Sequence, residues 1–287
     1  MSRRPLGEKE KERKLDIFLD SGAFSAYTQK AVIKLDDYIA FIKKYAKYIT
    51  VYANLDVIGD AEATLKNQKL MEKAGLKPLP TFHFGEDISY LEYYIKHYDY
   101  IALGGVAVKR TKGALVAWLD QCFDLICPAP ERMPKVKVHG FGITAVDVMQ
   151  RYPWYSVDST AWVKSSRLGM IYVPRQNRDG AYDYLTGAHL INVSSKNPGK
   201  DEDNRKHITS LVGMQLKYVL DYIERQGFNL GKSELDGDGK EKIIEKGLCN
   251  DYRQRDEFNA KYFLDLEKAF PDWPHPFRYA KANLAII

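Results

Sequence analysis

Cysteine is scarce in this chain: Cys122, Cys127 and Cys249 are the only three in 287 residues. Their odd number and irregular spacing exclude a disulfide framework and a zinc-ligand pattern, and fit a reducing interior. Long apolar runs are missing as well. No stretch approaches the ~18 consecutive apolar residues of a membrane span, and the amino end has no signal-peptide core. A cytoplasmic protein with no membrane partner is therefore expected. There is no internal repeat, and no low-complexity tract beyond residues 1–14. Charge of one sign is not in large excess either. Lys and Arg number 43 against 38 Asp and Glu, a net charge of +5. Residues 1–14 supply +3 of this, with Arg3, Arg4, Lys9, Lys11, Arg13 and Lys14 against Glu8, Glu10 and Glu12. They read as a flexible basic arm, and the +2 left for the folded body permits a nucleic-acid partner without requiring one.

What is present is a globular composition, 45% apolar and 28% charged, in a length that suits one α/β barrel or two modest domains. Short apolar runs rich in β-branched and aromatic residues predict strands at 16–19, 49–55, 78–84, 100–103, 136–139, 155–157, 169–173 and 190–193. Several are almost continuously apolar, as strands covered on both faces are. Between them, apolar residues recur at helical spacing over 35–48, 61–74, 88–98, 114–126 and 144–151. Asp60 suits a helix N-cap and Gly75 a C-terminal cap. The alternation predicts an α/β fold, a (β/α)8 TIM-like barrel over 15–287 with extra C-terminal helices from about 205. The crossovers between Asp158 and Leu190 are short and irregular, and a doubly wound sheet is the runner-up. Beyond the eighth strand, 196–206 reads as a polar loop, 207–226 and 256–270 as helices, and 229–242 as a Gly/Asp/Lys loop. The DGDGK within that loop lacks the full ligand ladder of a calcium site.

In a parallel barrel the carboxyl ends of the strands open on one face, where catalytic groups collect. Here that face would carry Asp20, Asp56, His83 with Glu86, Gly104 and Gly105, His139 and Gly140, Asp158, Arg175, and Ser194 with Ser195. Three aspartates directly follow apolar strands, in IFLDSGAF, VYANLDVIG and WYSVDSTAW. A carboxylate there is costly to desolvate unless it is bonded or paired. Each also has a structural reading: Asp20 as the cap of a DSG turn, Asp158 as the cap of a short helix, Asp56 as a carboxylate tied to amides. Gly104 and Gly105 either make a tight turn or let a planar ligand approach the backbone. His83 and His139 are either core histidines or metal ligands, although the His-x-His pair of barrel hydrolases is absent. Two carboxylates on one pocket can divide into nucleophile and acid/base at an anomeric carbon. This spacing does not distinguish hydrolysis from exchange.

DSGAF after the first strand, LD after the second, LGG after the fourth, HGFGI after the fifth and VDS after the sixth follow one order. In that order the chain resembles the tRNA-guanine transglycosylase superfamily, and most of all its compact branch in phages and bacteria, the DpdA proteins, which put 7-deazaguanines into DNA. The likeness covers residues 15–163. It implies that Asp158 is the nucleophile that attacks C1′ of the target guanosine. Asp20 would be the acid/base carboxylate, and Asp56 would hold the N1 and amino edge of the base. Gly104 and Gly105 would bond the base through the backbone. His83 stands where the tRNA enzymes place a base-reading glutamine, and His139 joins the pocket residues. No metal and no organic cofactor are implied, because the incoming 7-deazaguanine, such as preQ0, is itself a substrate. The cellular setting would be the cytoplasm, that of the host if the gene belongs to a phage.

The tRNA enzymes carry a Cys-x-Cys-x-x-Cys and histidine zinc site after the nucleophile strand. The matching stretch here, AWVKSSRLGMIYVPRQNRDG, has no cysteine, so a zinc subdomain is not expected and DNA is favoured over tRNA. Lys164, Arg167, Arg175 and Arg178 follow Asp158, interleaved with Trp162, Tyr172 and Tyr182. Such cations can hold phosphates and such aromatics can stack on bases. A solvated basic loop is the plain alternative. The target guanosine would have to be flipped out or single-stranded. The aromatic-rich tail suits the barrel's flank or a second subunit, which leaves a homodimer open. The other readings are transfer on tRNA, a retaining or metal-dependent barrel hydrolase, and a silent nucleic-acid-binding barrel.

Overall fold

Runs such as YIALG and KVHG form strands that are almost wholly covered, ITVY forms one that is partly covered, and the amphipathic stretches between them form helices. The computed structural model describes residues 17–105, 111–196, 205–235 and 240–277. The basic arm expected at 1–14, and nearly all of DGDGK, lie outside the described residues. The fold is mixed α/β. It divides into two compact units, Met1–Phe141 and Gly142–Ile287. Among the described residues no helix is long and apolar enough to cross a membrane.

The first unit contains, in order, β1 (Ile17–Leu19), α1 (Ala23–Gln29), α2 (Leu35–Tyr45), β2 (Ile49–Tyr52), α3 (Ala61–Lys73), β3 (Thr81–His83), α4 (Ile88–His97), β4 (Tyr100–Gly104), α5 (Lys112–Ile126) and β5 (Lys137–Gly140). β1 pairs parallel with β2, and β3, β4 and β5 form a parallel sheet in that order. A parallel bridge between Ala53 and Leu79 links the end of β2 to the residues before β3. The helices start and stop where their caps allow. The Asp60 carboxylate accepts the Ala63 N–H at 2.9 Å, and Gly75, with φ 84°, follows the last turn of α3. α2 carries Asp36 and Asp37 in its first turn and Lys43 and Lys44 in its last, which suits the helix dipole. Its Tyr38 and Ile42 pack with Leu55 and Met71. On the helix side of β3, Phe82 stacks on Trp118 of α5.

The second unit contains α6 (Val146–Arg151), β6 (Ser156–Val157), α7 (Ala161–Arg167), β7 (Met170–Val173), β8 (Arg175–Gln176), β9 (Tyr182–Asp183), β10 (His189–Asn192), β11 (Arg205–His207), a 3₁₀ turn (Ile208–Ser210), α8 (Gly213–Arg225), β12 (Lys232–Leu235), β13 (Glu241–Glu245) and α9 (Tyr252–Ala269). β10 lies between β7 and β11. Its core joins Ile171, Val173 and Ile191 of the sheet to Val219, Tyr222 and Ile223 of α8 and Phe258 of α9.

Four expectations are corrected here. The seventh and eighth predicted strands, β7 and β10, run antiparallel, not parallel. The chain between them makes the small hairpin of β8 and β9, and a short return of this kind reverses direction where a helical crossover would restore it. Among the described residues the strand pairings do not close a ring. The stretch expected as a loop over 229–242 contributes to an exposed hairpin of β12 and β13, and β11 begins within the loop expected at 196–206. The helix expected from 207 starts at Gly213, because His207 caps the 3₁₀ turn and Leu211 and Val212 are extended.

Candidate functional site

The most closely bonded group of titratable side chains sits at the strand ends of the first unit. His83 is the last residue of β3 and is buried. Its Nε2 lies 2.9 Å from Asp56 Oδ2 and its Nδ1 lies 3.1 Å from Glu86 Oε1. Gly85, with φ 88°, turns the chain so that Glu86 folds back, and its Oε2 also accepts the His83 backbone N–H at 2.8 Å. Burial by itself would lower the imidazole pKa. Hydrogen bonds and charge from Asp56 and Glu86 outweigh it and carry the pKa up to about 9. At neutral pH the ring is therefore an imidazolium donating to a carboxylate on either side. Among the described residues no group of three or more His, Cys, Asp and Glu is arranged to hold a metal ion.

Asp56 receives a second bond, from Ser21 Oγ at 2.6 Å. Each of its oxygens thus accepts one hydrogen bond, and a carboxylate oxygen has room for another. The same Ser21 hydroxyl accepts the Ala23 N–H at 3.1 Å, so this serine bonds the first turn of α1. Asp20 is exposed beyond the end of β1. It acts together with Asp56 on Tyr38, whose hydroxyl donates to the Ala53 carbonyl at 2.9 Å. Burial first, then the charges of Asp20 and Asp56, push the Tyr38 pKa up.

Gly104 ends β4 opposite His83. A Cβ there would lie 2.9 Å from His83 Cδ2 and 3.2 Å from Nε2, and Gly105 has φ 79°. These glycines let the backbone lie against the imidazole. The close approach that the sequence suggested for a ligand is made, in this structure, by a side chain. His139 on β5 is buried, stacked on Phe18 at 4.3 Å and edge-on to Phe141 at 4.5 Å. The structure therefore joins Asp56, His83 and Gly104 directly, sets Gly105 beside Phe84, places Asp20 close enough to act on the same tyrosine, and holds His139 in aromatic packing. Ser21, Tyr38 and Glu86 belong to this group although the sequence reading gave Ser21 and Tyr38 no part in it. The HFGE spacing was the signal for Glu86.

In the second unit, Asp158 follows β6 and accepts the Gly142 N–H at 2.7 Å. Ser159 Oγ accepts the Ala161 N–H at 3.1 Å, so again the serine after the aspartate bonds the first turn of the next helix. Lys164 and Arg167 are exposed on α7. Arg175 lies opposite Asp183 in the hairpin of β8 and β9, where its charge helps lower the Asp183 pKa after the Thr186 hydrogen bond, and Arg178 is in the turn. The four cations expected to bind phosphates thus belong to two separate elements.

No protein-family model matches the chain, and no curated protein matches it significantly.

Proposed function

We propose that this chain is a base-exchange transglycosylase, built on a (β/α)8 barrel, that replaces guanine in DNA by a 7-deazaguanine. The observation that carries the reading is positional. Asp20, His83, Gly104, His139 with Gly140, and Asp158 each stand at or directly after the carboxyl end of a strand, in the order of the resembling family. Asp56 adds a chemical fit. It is held rigidly by Ser21 and His83, and its two oxygens keep acceptor capacity side by side, as the N1–H and amino group of a guanine edge require.

In this reaction a carboxylate oxygen of Asp158 attacks C1′ of the target nucleotide and the bond from C1′ to N9 of guanine breaks. Asp20 supplies the proton that the leaving guanine takes up. The deoxyribosyl ester on Asp158 is then attacked by N9 of the deazaguanine, Asp20 takes back the N9 proton, and the carboxylate is regenerated. His83, through Nε2, holds the Asp56 carboxylate fixed as an acceptor.

The test is exchange of labelled guanine into duplex DNA, single-stranded DNA and tRNA, with nucleoside mass spectrometry of DNA from cells that also make the deazaguanine. Incorporation into DNA is the expected result. Exclusive labelling of tRNA would reject the polymer, and release of base without replacement would reject exchange in favour of hydrolysis.

A further inference from the structure

The second unit contains a cleft of about 510 Å³ beside the first turn of α9, lined by Arg167, Ser194, Lys196, Asn250, Tyr252 and Arg255, with Cys249 in its wall. Three of these residues are cations, and no carboxylate is among the described residues that line it. The decisive group is Arg255. It is 6% exposed, and among the described residues its charge is bonded only to neutral oxygens: Nε donates to the Ser166 carbonyl at 2.7 Å and Nη1 to the Leu248 carbonyl at 2.6 Å.

Among the described residues no carboxylate forms an ion pair with it, because the nearby acids are otherwise engaged. Glu241 accepts from the Ser195 hydroxyl and lies 3.2 Å from Lys196 Nζ. Asp251 caps α9 through the Arg253 N–H and lies 3.7 Å from Lys246. Asp256 accepts from the Ser166 hydroxyl. Burial lowers the Arg255 pKa, and the acids at a distance offset this in part.

A buried charge is ordinarily paired, since its desolvation is costly. A guanidinium has five N–H donors. Two are committed here, and those left form the planar fork that matches a phosphate. The amino end of an 18-residue helix adds its partial positive charge on the same side.

We propose that this cleft is a phosphate-binding site, with Arg255 at its base and Arg167 and Lys196 at its mouth. The ligand chemistry is a phosphate monoester or diester, which a small phosphorylated compound and a polynucleotide backbone share. The site does not depend on base exchange and is tested without it.

Cys249 gives the readout. It is 8% exposed, whereas Cys122 and Cys127 are fully buried, so alkylation of the full chain by iodoacetamide reports on the cleft. Inorganic phosphate, a nucleoside monophosphate and a short single-stranded oligonucleotide are compared with chloride at equal ionic strength, and modification of Cys249 is followed by mass spectrometry. Phosphate is expected to slow it several-fold. Protection by all three points to small phosphorylated compounds, and protection by the oligonucleotide at far lower concentration points to a polynucleotide. In the Arg167→Ala/Lys196→Ala variant, changed only at exposed side chains, the protection factor should fall at least several-fold. Arg255→Lys keeps the charge but not the fork, and it should abolish protection. If Arg255→Lys does not fold, the double variant decides. Equal rates in phosphate and chloride, or unchanged protection in either folded variant, overturn the site.

Discussion

His83 Nε2 lies 2.9 Å from Asp56 Oδ2 while its Nδ1 lies 3.1 Å from Glu86 Oε1, so one buried imidazole joins two half-buried carboxylates. Its pKa rises from 6.5 to about 9 on folding. A raised pKa means that the folded state binds this proton more tightly. The stabilisation is complete below about pH 6.5 and is lost as pH climbs through about 9. The whole effect is on the order of 3 kcal/mol. Urea unfolding should show stability falling across this window in the native chain, and the His83→Gln variant should lack the fall. A native profile as flat as that of the variant would show that the ring is neutral in the folded protein.

The share carried by Glu86 can be separated from that of Asp56. Glu86→Gln leaves an acceptor at Nδ1 and removes a charge, so the His83 pKa should drop from about 9 towards its ordinary 6.5. The imidazole C–H resonances followed through a pH titration read this directly. An unmoved titration would assign the whole rise to Asp56.

Gly104→Ala tests the contact between backbone and ring. The new methyl carbon would stand 2.9 Å from His83 Cδ2 and 3.1 Å from the Thr81 methyl, in a buried strand. Overpacking of this kind costs about 1–3 kcal/mol. It also pushes the ring away from Asp56, so the loss of stability should be accompanied by a lower His83 pKa. Stability lost with the titration unchanged would mean that the strand, not the ring, had moved.

Asp158→Asn probes the nucleophile with little disturbance of its surroundings, because an amide oxygen can still accept the Gly142 N–H that the carboxylate accepts at 2.7 Å. The variant should bind DNA as the native chain does and should form no denaturant-stable adduct with it. Asp20→Asn should slow both the formation of the adduct and its turnover, each by about 10²–10⁴-fold, the usual contribution of a positioned acid or base, without abolishing the adduct. Gel separation after denaturation distinguishes the two, and an adduct in Asp158→Asn would remove that residue from the chemistry.

The strands were legible because each falls in a short run of apolar, β-branched and aromatic residues, and β3, β4 and β5 are also covered on both faces. Each expected strand contains the core of an observed one, and Asp60 and Gly75 bound α3 as their chemistry dictates. Strand direction was not legible. YIALG and HLIN look alike as sequences, yet the first pairs parallel on both sides and the second pairs antiparallel with β7, because direction depends on how the connecting chain returns. The hairpin of β12 and β13 was hidden because KSEL and EKIIE are charged and half outside the core, and such strands carry no apolar signature. At the site, residues that follow strands could be found by position. Ser21 could not, since a serine beside an aspartate looks the same whether it bonds its own turn or, as here, also reaches a carboxylate 35 residues on.

Asn259 offers a last test, of what holds the second unit together. It is fully buried in α9. Its Nδ2 donates to the carbonyls of Trp162 and Met170, each at 3.1 Å, and its Oδ1 accepts the Tyr172 N–H at 3.0 Å. One side chain thus ties α9 to α7 and to β7, and it supplies partners that the flank of a short strand lacks. Asn259→Ala leaves a donor and two acceptors buried without that partner, at about 1–3 kcal/mol for each group that water cannot reach. Asn259→Asp keeps the acceptor for Tyr172 but turns the two carbonyl contacts repulsive, so it should destabilise at least as much at neutral pH and recover part of the loss in acid as the carboxyl is protonated. Denaturant midpoints for both variants across pH would show this. Equal midpoints at all pH values would mean that the carbonyls of Trp162 and Met170 had turned to other partners.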